Sequence, residues 1–138
     1  MRALALDIGE VRVGIAVGST QTGLAFPVCV LNTQDVCTMS GAFRRVLDDN
    51  EPDVLVCGLP LTLHGEEGVQ VKRIRALALQ IAKDAQVPLE FCDERYSSRE
   101  AKRILREQGF DEKHMRGKID MVAASLFLQT WLAQRANQ

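Results

Sequence analysis

Several features that mark large classes of protein are missing from this sequence. The four cysteines form no C-x-x-C pair, and no apolar run approaches the ~20 residues that span a bilayer. Zinc sites need closely spaced ligand pairs and disulfide frameworks belong to secreted chains, so we interpret the cysteines as buried, reduced thiols. Asp7 interrupts the N-terminal apolar stretch, which is too short for a signal peptide. We therefore expect a cytoplasmic protein without a membrane association.

Aromatic residues and linkers are also scarce. The chain has one Tyr, one Trp and five Phe, which excludes a recognition surface built from several base-stacking aromatics. No repeat, low-complexity tract or Pro/Gly/Ser-rich linker interrupts its 138 residues. We therefore expect a single domain over residues 1–138, and the sequence does not indicate its oligomeric state.

Charge is balanced over the whole chain but unevenly distributed. Residues 1–53 carry seven acids and four bases, whereas residues 95–118 carry eight bases and four acids. A basic sector beside an acidic one is compatible with phosphate binding around a metal-holding pocket. On this feature alone, the plainer interpretation, a solvated helix face of mixed charge, is favoured.

The hydrophobic pattern predicts an α/β fold. Strands are expected over residues 2–7, 12–17, 25–31, 53–58 and 87–92, with Pro27 indicating an edge strand. Helical spacing covers residues 35–49 and 71–85, a third helix starts with Ser97 as N-cap and stops near Gly109, and a last one starts near Ile119. Three antiparallel strands followed by βαβ units predict a ribonuclease H-like, mixed five-stranded sheet with helices on both faces.

Three acids stand where such a fold would bring side chains together. Asp7 ends the first strand, Asp93 ends the fifth, and Asp120 opens the last helix. Converging carboxylates favour Mg²⁺ or Mn²⁺, which could activate a water and stabilise the leaving oxygen of a phosphodiester. Glu94 is an alternative to Asp93, because alternation points the two side chains to opposite faces and the sequence does not decide between them.

The ordered motifs of the chain resemble those of the YqgF (RuvX) family, the pre-16S ribosomal RNA nucleases also described as Holliday-junction-resolvase-like. The matching blocks cover nearly the whole chain: 4–9 (LALDIG) with 12–17 (RVGIAV), 56–61 (VCGLPL), 65–68 (GEEG), 93–95 (DER), and 118–120 (KID) with Ala123, Ala124, Leu128 and Gln129. No single block is specific for the family, but the ordered set of blocks is.

This resemblance implies metal-dependent hydrolysis of structured RNA or branched DNA, most typically maturation of the 5′ end of pre-16S rRNA. It assigns the catalytic acids to Asp7, Asp93, Glu94 and Asp120, with the metal held by Asp7, Asp93 and Asp120. Arg12 and Arg95 match basic positions near substrate phosphate, and we add Arg99 and Lys118 from the basic sector. One departure stands out, because Glu10-Val11 replaces the usual Thr-Lys and removes a phosphate contact.

Two other functions are compatible with parts of the pattern. The basic residues at 99–106 and 113–118 would suit a non-catalytic nucleic-acid-binding factor in ribosome assembly or transcription. The segment from Asp7 to Gly14 resembles the first phosphate loop of actin-like ATPases and sugar kinases, although those enzymes close two such domains around a nucleotide. Within the nuclease interpretation, the choice between RNA and DNA and between Mg²⁺ and Mn²⁺ stays open.

Overall fold

One mixed β-sheet organises the chain. The computed structural model describes residues 1–61, 64–65 and 67–136. Its elements, in chain order, are β1 (Arg2–Ile8), β2 (Arg12–Ser19), β3 (Ala25–Asn32), α1 (Thr33–Cys37), α2 (Gly41–Asn50), β4 (Val54–Leu59), α3 (Val69–Ala85), β5 (Leu89–Asp93), α4 (Ser97–Glu107), α5 (Glu112–Met115) and α6 (Ile119–Ala136).

The strand order is β3-β2-β1-β4-β5, with β1 in the centre. β1 pairs antiparallel with β2 and parallel with β4, β2 pairs antiparallel with β3, and β4 pairs parallel with β5. The predicted five-stranded mixed sheet is therefore confirmed, as is the edge position of β3, whose Pro27 cannot donate a ladder hydrogen bond.

Alternation along the strands divides the core into two layers. Leu4, Leu6 and Ile8 of β1 pack toward α1, α2 and α3, whereas Ala3 and Ala5 pack toward α6. β4 repeats this division, and all of its residues are buried, as predicted. Helices therefore cover both faces of the sheet, and Asp7, which shares a face with Ala3 and Ala5, points to the α6 side.

The face beneath α6 is lined by small residues. A Cβ atom added to Gly14 would lie 2.1 Å from the carbonyl carbon and oxygen of Asp120, and one added to Gly18 would lie 2.8 Å from the Cδ1 of Leu132. At Gly58 an added Cβ would lie 2.7 Å from the ring of Phe127. Because the strands present almost no side-chain bulk here, α6 lies directly on the sheet, and its first turn touches β2.

The predicted helix over residues 35–49 is wrong as a single element. It is two helices, separated at Met39, which has a φ of 55°. Ser40 ends the break by accepting a hydrogen bond from the Phe43 amide at 3.4 Å. The apolar spacing runs across the break because Val36 and Phe43 both face the same core, so periodicity alone could not reveal the break.

The start of α4 also differs from the prediction. The N-cap is Tyr96, and Ser97 is the first helical residue, buried and without a capping role. The Ser97 amide donates to the carbonyl of Glu94 at 3.0 Å, so a tight turn brings the chain into the helix one residue early. Gly109, with a φ of 93°, follows the end of α4 as predicted.

The short helix α5 has no counterpart in the prediction, and β5 begins two residues later than expected, at Leu89. The motif at residues 65–68 includes Glu66, which lies outside the described residues. Among the helices of the described chain, none has the length and apolar character needed to cross a membrane.

Candidate active site

Three parallel strands end at one edge of the sheet, and two acids lie there. β1, β4 and β5 run in the same direction, so their carboxyl ends meet at this edge. Asp7 is the penultimate residue of β1, and Glu94 directly follows β5. The Glu94 amide donates to the carbonyl of Leu59 at 3.0 Å, which holds it beside the end of β4. Open α/β sheets commonly place their ligand sites at this edge.

Asp7 and Glu94 face each other as a carboxyl pair, in which Asp7 is buried and Glu94 is half-buried. Cys92 packs toward α6, and alternation carries Glu94 to the same face as Asp7. Burial and then the neighbouring Asp7 charge raise the pKa of Glu94 to about 9. Burial also raises the pKa of Asp7 to about 6, against the lowering effect of the hydrogen bond that Glu94 donates to it. The pair therefore shares a proton at neutral pH, and a second negative charge is disfavoured.

Asp120 brings a third carboxylate to the same place. It lies in the first turn of α6, fixed by the contact of that turn with Gly14, and its charge contributes to the raised pKa values of Asp7 and Glu94. Its Oδ2 accepts a hydrogen bond from the Nε of Arg12 at 3.1 Å. The Asp120 side chain is 27% exposed, so this acid sits at the mouth of the site.

Asp93 is not brought to this cluster. Its carboxylate accepts hydrogen bonds from the Arg95 amide at 2.9 Å and the Arg95 Nε at 2.7 Å. Partial burial raises the pKa of Asp93, but these hydrogen bonds lower it more, so the pKa lies below its ordinary value. Alternation along β5 points Asp93 to the same face of the sheet as Leu89 and Phe91. Those two residues pack on the face opposite Asp7. Between the two acids that the sequence left open, the structure brings Glu94 rather than Asp93 to Asp7.

An open cavity of about 650 Å³, the acid cavity, exposes the three carboxyl groups to solvent. Asp7, Glu94 and Asp120 line it together with Arg95 and Arg99. Of the other basic residues singled out by the sequence, Arg12 reaches the site through Asp120, whereas Lys118 stacks on the ring of Phe110 at 5.3 Å and does not line the cavity. Glu10, the departure from the family pattern, pairs with Arg73 of α3 at 3.1 Å.

Sequence reasoning missed three polar residues of the cavity wall. Gln70, Tyr96 and Ser98 line it beside the acids. Gln70 comes from the first turn of α3, whose distance from Asp7 in sequence gives no signal. Tyr96 and Ser98 follow the Asp-Glu-Arg motif directly, and that adjacency was the one available signal.

The chemistry of the cluster suits a hard divalent cation. Such ions take carboxylate oxygens, and a cation between Asp7 and Glu94 would relieve the repulsion that raises their pKa values. Asp120 is instead turned to Arg12, and within the described residues no group of three or more His, Cys, Asp or Glu side chains is arranged to hold a metal ion. The structure thus presents two facing ligands, with a third nearby.

Comparison with known proteins identifies the family. The family model of RuvX, described as Holliday junction resolvase, matches residues 1–134. The chain belongs to the RuvX family. A relative from Acaryochloris marina is 40% identical over 96% of this RuvX chain and 92% of its own length, and one from an Anaeromyxobacter species is 38% identical over 98% of each. Both are named "Putative pre-16S rRNA nuclease".

Solved structures confirm the ribonuclease H-like architecture of this RuvX member. A Fowlpox virus resolvase in complex with Holliday junction DNA has a TM-score of 0.57 at 12% identity, covering 98% of this chain and 99% of its own. Thermus thermophilus RuvC in complex with a Holliday junction substrate has a TM-score of 0.55 at 14% identity, covering 99% and 96%. At these identities the likeness concerns the fold.

Proposed function

We propose that this protein is a nuclease that hydrolyses phosphodiester bonds in structured nucleic acid at the cavity formed by Asp7, Glu94 and Asp120. The observation that supports it is the meeting of Asp7, which is buried, with Glu94, which is half-buried: both carboxyl groups have raised pKa values and line an open cavity. Perturbed acids in a cleft are typical of catalytic sites. A purely structural role would be better served by apolar residues, because burying like charges together destabilises the fold.

We propose Mg²⁺ or Mn²⁺ as the cofactor, held by Asp7 and Glu94, with Asp120 as the third ligand in place of its contact with Arg12. When bound, the ion would supply positive charge that activates water and stabilises the charge developing on the phosphate. In this assignment Glu94, and not Asp93, is a metal ligand. The proposed role of Asp93 is to position Arg95.

The basic residues of the site suit a polyanionic substrate. Arg95 and Arg99 line the same cavity as the acids, so a phosphate could contact a guanidinium while its neighbouring bond lies near the carboxylates. Gly9, whose amide donates to the Arg12 carbonyl at 2.8 Å in the tight turn between β1 and β2, lines the same cavity. Substrate binding is thus proposed to rest on backbone phosphates.

The proposed substrate is precursor 16S rRNA, cleaved in the maturation of its 5′ end. The names of the curated relatives, at 38–40% identity over nearly full length, support this choice. It would place the protein in the cytoplasm, in agreement with the expectation from sequence. Branched DNA is the second candidate, supported by the description of the RuvX family model.

Cleavage assays test the proposal. Labelled pre-16S rRNA and a four-way DNA junction are each incubated with the wild type and Asp7→Asn, in Mg²⁺, Mn²⁺ or EDTA. We expect metal-dependent cleavage by the wild type alone, and the preferred substrate decides between RNA and DNA. If neither protein cuts either substrate in any metal, the nuclease proposal fails and a binding factor in ribosome assembly or transcription takes its place.

A further inference from the structure

Tyr96 has a backbone conformation that its place in the chain does not explain. Among the described residues, four that are not glycine have a positive φ: Met39, Glu51, Gln86 and Tyr96. The first three follow the ends of helices, where a left-handed residue is common. Tyr96, with a φ of 70°, instead precedes a helix, where the N-cap is normally extended, as it is in α1, α3 and α5. A bulky residue rarely adopts this conformation.

The same residue directs a large aromatic ring toward solvent. Tyr96 is the only tyrosine of the chain, and it is 57% exposed. The core therefore does not account for its conformation. Backbone strain of this kind concentrates at functional sites, where the surrounding structure maintains it. Here the turn that holds it also places Glu94, because the Ser97 amide donates to the Glu94 carbonyl.

The surroundings of Tyr96 suit a nucleotide. It lines the acid cavity together with Arg95 and Arg99, its neighbours in sequence, and it also borders an adjacent groove lined by Thr130 and Gln134. Tyr96 thus stands on the ridge between the two depressions. A strand whose phosphates contact the arginines would pass its bases over this ridge, and an aromatic ring there offers a stacking surface.

We propose that Tyr96 is a specificity-determining residue that stacks on an unpaired nucleobase next to the cleavage site. The inference rests on the proposed function in that the acid cavity receives the nucleic acid. It adds that the protein prefers a bond next to an unpaired nucleotide over one inside a continuous duplex, because a base within a duplex is already stacked on both sides.

The positive φ of Tyr96 decides which substitutions test the proposal. Tyr96→Gly removes the ring and suits a positive φ, so it should fold with a melting temperature equal to or above that of the wild type. Tyr96→Phe keeps the ring. Gln86→Gly is the matched control, because Gln86 has a φ of 58° at the end of α3 and does not line the cavity.

Binding is measured by fluorescence anisotropy in EDTA, where no cleavage occurs, with an RNA hairpin that carries a single-stranded tail and the same hairpin with a blunt end. We expect Tyr96→Gly to weaken binding of the tailed hairpin about tenfold or more and to leave the blunt hairpin unchanged. Tyr96→Phe and Gln86→Gly should bind both RNAs as the wild type does. A 2-aminopurine in the tail should be quenched by the wild type and not by Tyr96→Gly.

Two results would overturn the inference: Tyr96→Gly binding both hairpins as the wild type does, or weakening both equally. Either leaves the nuclease proposal intact, because that proposal is judged by the metal-dependent cleavage lost in Asp7→Asn. Conversely, a tail-specific loss without any cleavage by the wild type would support the stacking role and refute the nuclease.

Discussion

At the scale of single residues, the carboxyl pair of Asp7 and Glu94 is an unfavourable feature of the fold. Both groups are largely buried and face one another, and Asp120 adds a third negative charge nearby. The folded chain therefore holds protons that the unfolded chain releases. For an acid whose pKa is raised on folding, the free energy of unfolding falls as pH rises from the unfolded toward the folded value.

The pH dependence of stability follows from this pair. Between about pH 4 and pH 9 the free energy of unfolding should decrease, because the pKa of Glu94 rises to about 9 and that of Asp7 to about 6. Glu94→Gln, which stays neutral, should melt several degrees above the wild type at pH 8 and close to it at pH 4.5, since 1 kcal/mol shifts the melting temperature by about 4 °C.

Thermal unfolding in EDTA at the two pH values is the measurement, and Glu112→Gln, an exposed acid paired with Arg106, is the control. A Glu94→Gln protein that melts below the wild type at pH 8 would refute the claim that Asp7 and Glu94 repel one another. Addition of Mg²⁺ or Mn²⁺ should raise the melting temperature of the wild type at pH 8 and raise that of Glu94→Gln less, because a bound ion stabilises the folded state.

At the scale of elements, the sequence predicted the sheet well and the junctions poorly. Strand type and order follow from alternation and from short connections, which are local properties. The break at Met39 and the early start of α4 depend instead on how helices meet a core that the sequence does not display. The choice between Asp93 and Glu94 belongs to the same class, because it requires knowing that α6 covers the face to which Ala3 and Ala5 point.

The contact of α6 with β2 at Gly14 predicts an effect of a single methyl group. In Gly14→Ala the new Cβ would collide with the backbone of Asp120, and backbone cannot turn aside as a side chain can. We expect a loss of about 1–3 kcal/mol in the free energy of unfolding and a marked loss of cleavage, as Asp120 is displaced.

The matched control is Gly117→Ala, three residues before Asp120. A Cβ atom there meets no atom of the described residues within 4 Å, so this variant should melt and cleave as the wild type does. Denaturant unfolding and cleavage rates are measured side by side. Wild-type stability and activity in Gly14→Ala would show that α6 does not depend on this contact to place Asp120.

At the scale of the whole molecule, part of the basic sector is internally neutralised. Arg103 pairs with Glu100 and Glu107, and Arg106 pairs with Glu112 at 3.1 Å. These ion pairs give part of α4 a solvated face of mixed charge. At the acid cavity, Arg12 pairs with Asp120 and Arg95 pairs with Asp93, whereas Arg99 lines the cavity wall. We propose that these three cations contact the phosphates of the nucleic acid.

Salt dependence should distinguish these two groups of cations. RNA affinity should fall as salt rises, and Arg99→Ala should reduce the slope of log affinity against log salt by about one. Arg106→Ala, an exposed arginine of the same helix paired with Glu112, should leave the slope unchanged. Equal slopes for the wild type and Arg99→Ala would place the phosphates elsewhere.

The most direct test of the account compares Glu94→Gln with Asp93→Asn in single-turnover cleavage of the preferred substrate. The two acids are adjacent in sequence, yet Glu94 faces Asp7, whereas Asp93 pairs with Arg95. We predict that Glu94→Gln lowers the rate about 100-fold or more, and that Asp93→Asn stays within about tenfold of the wild type. An inactive Asp93→Asn beside an active Glu94→Gln would contradict the proposed site.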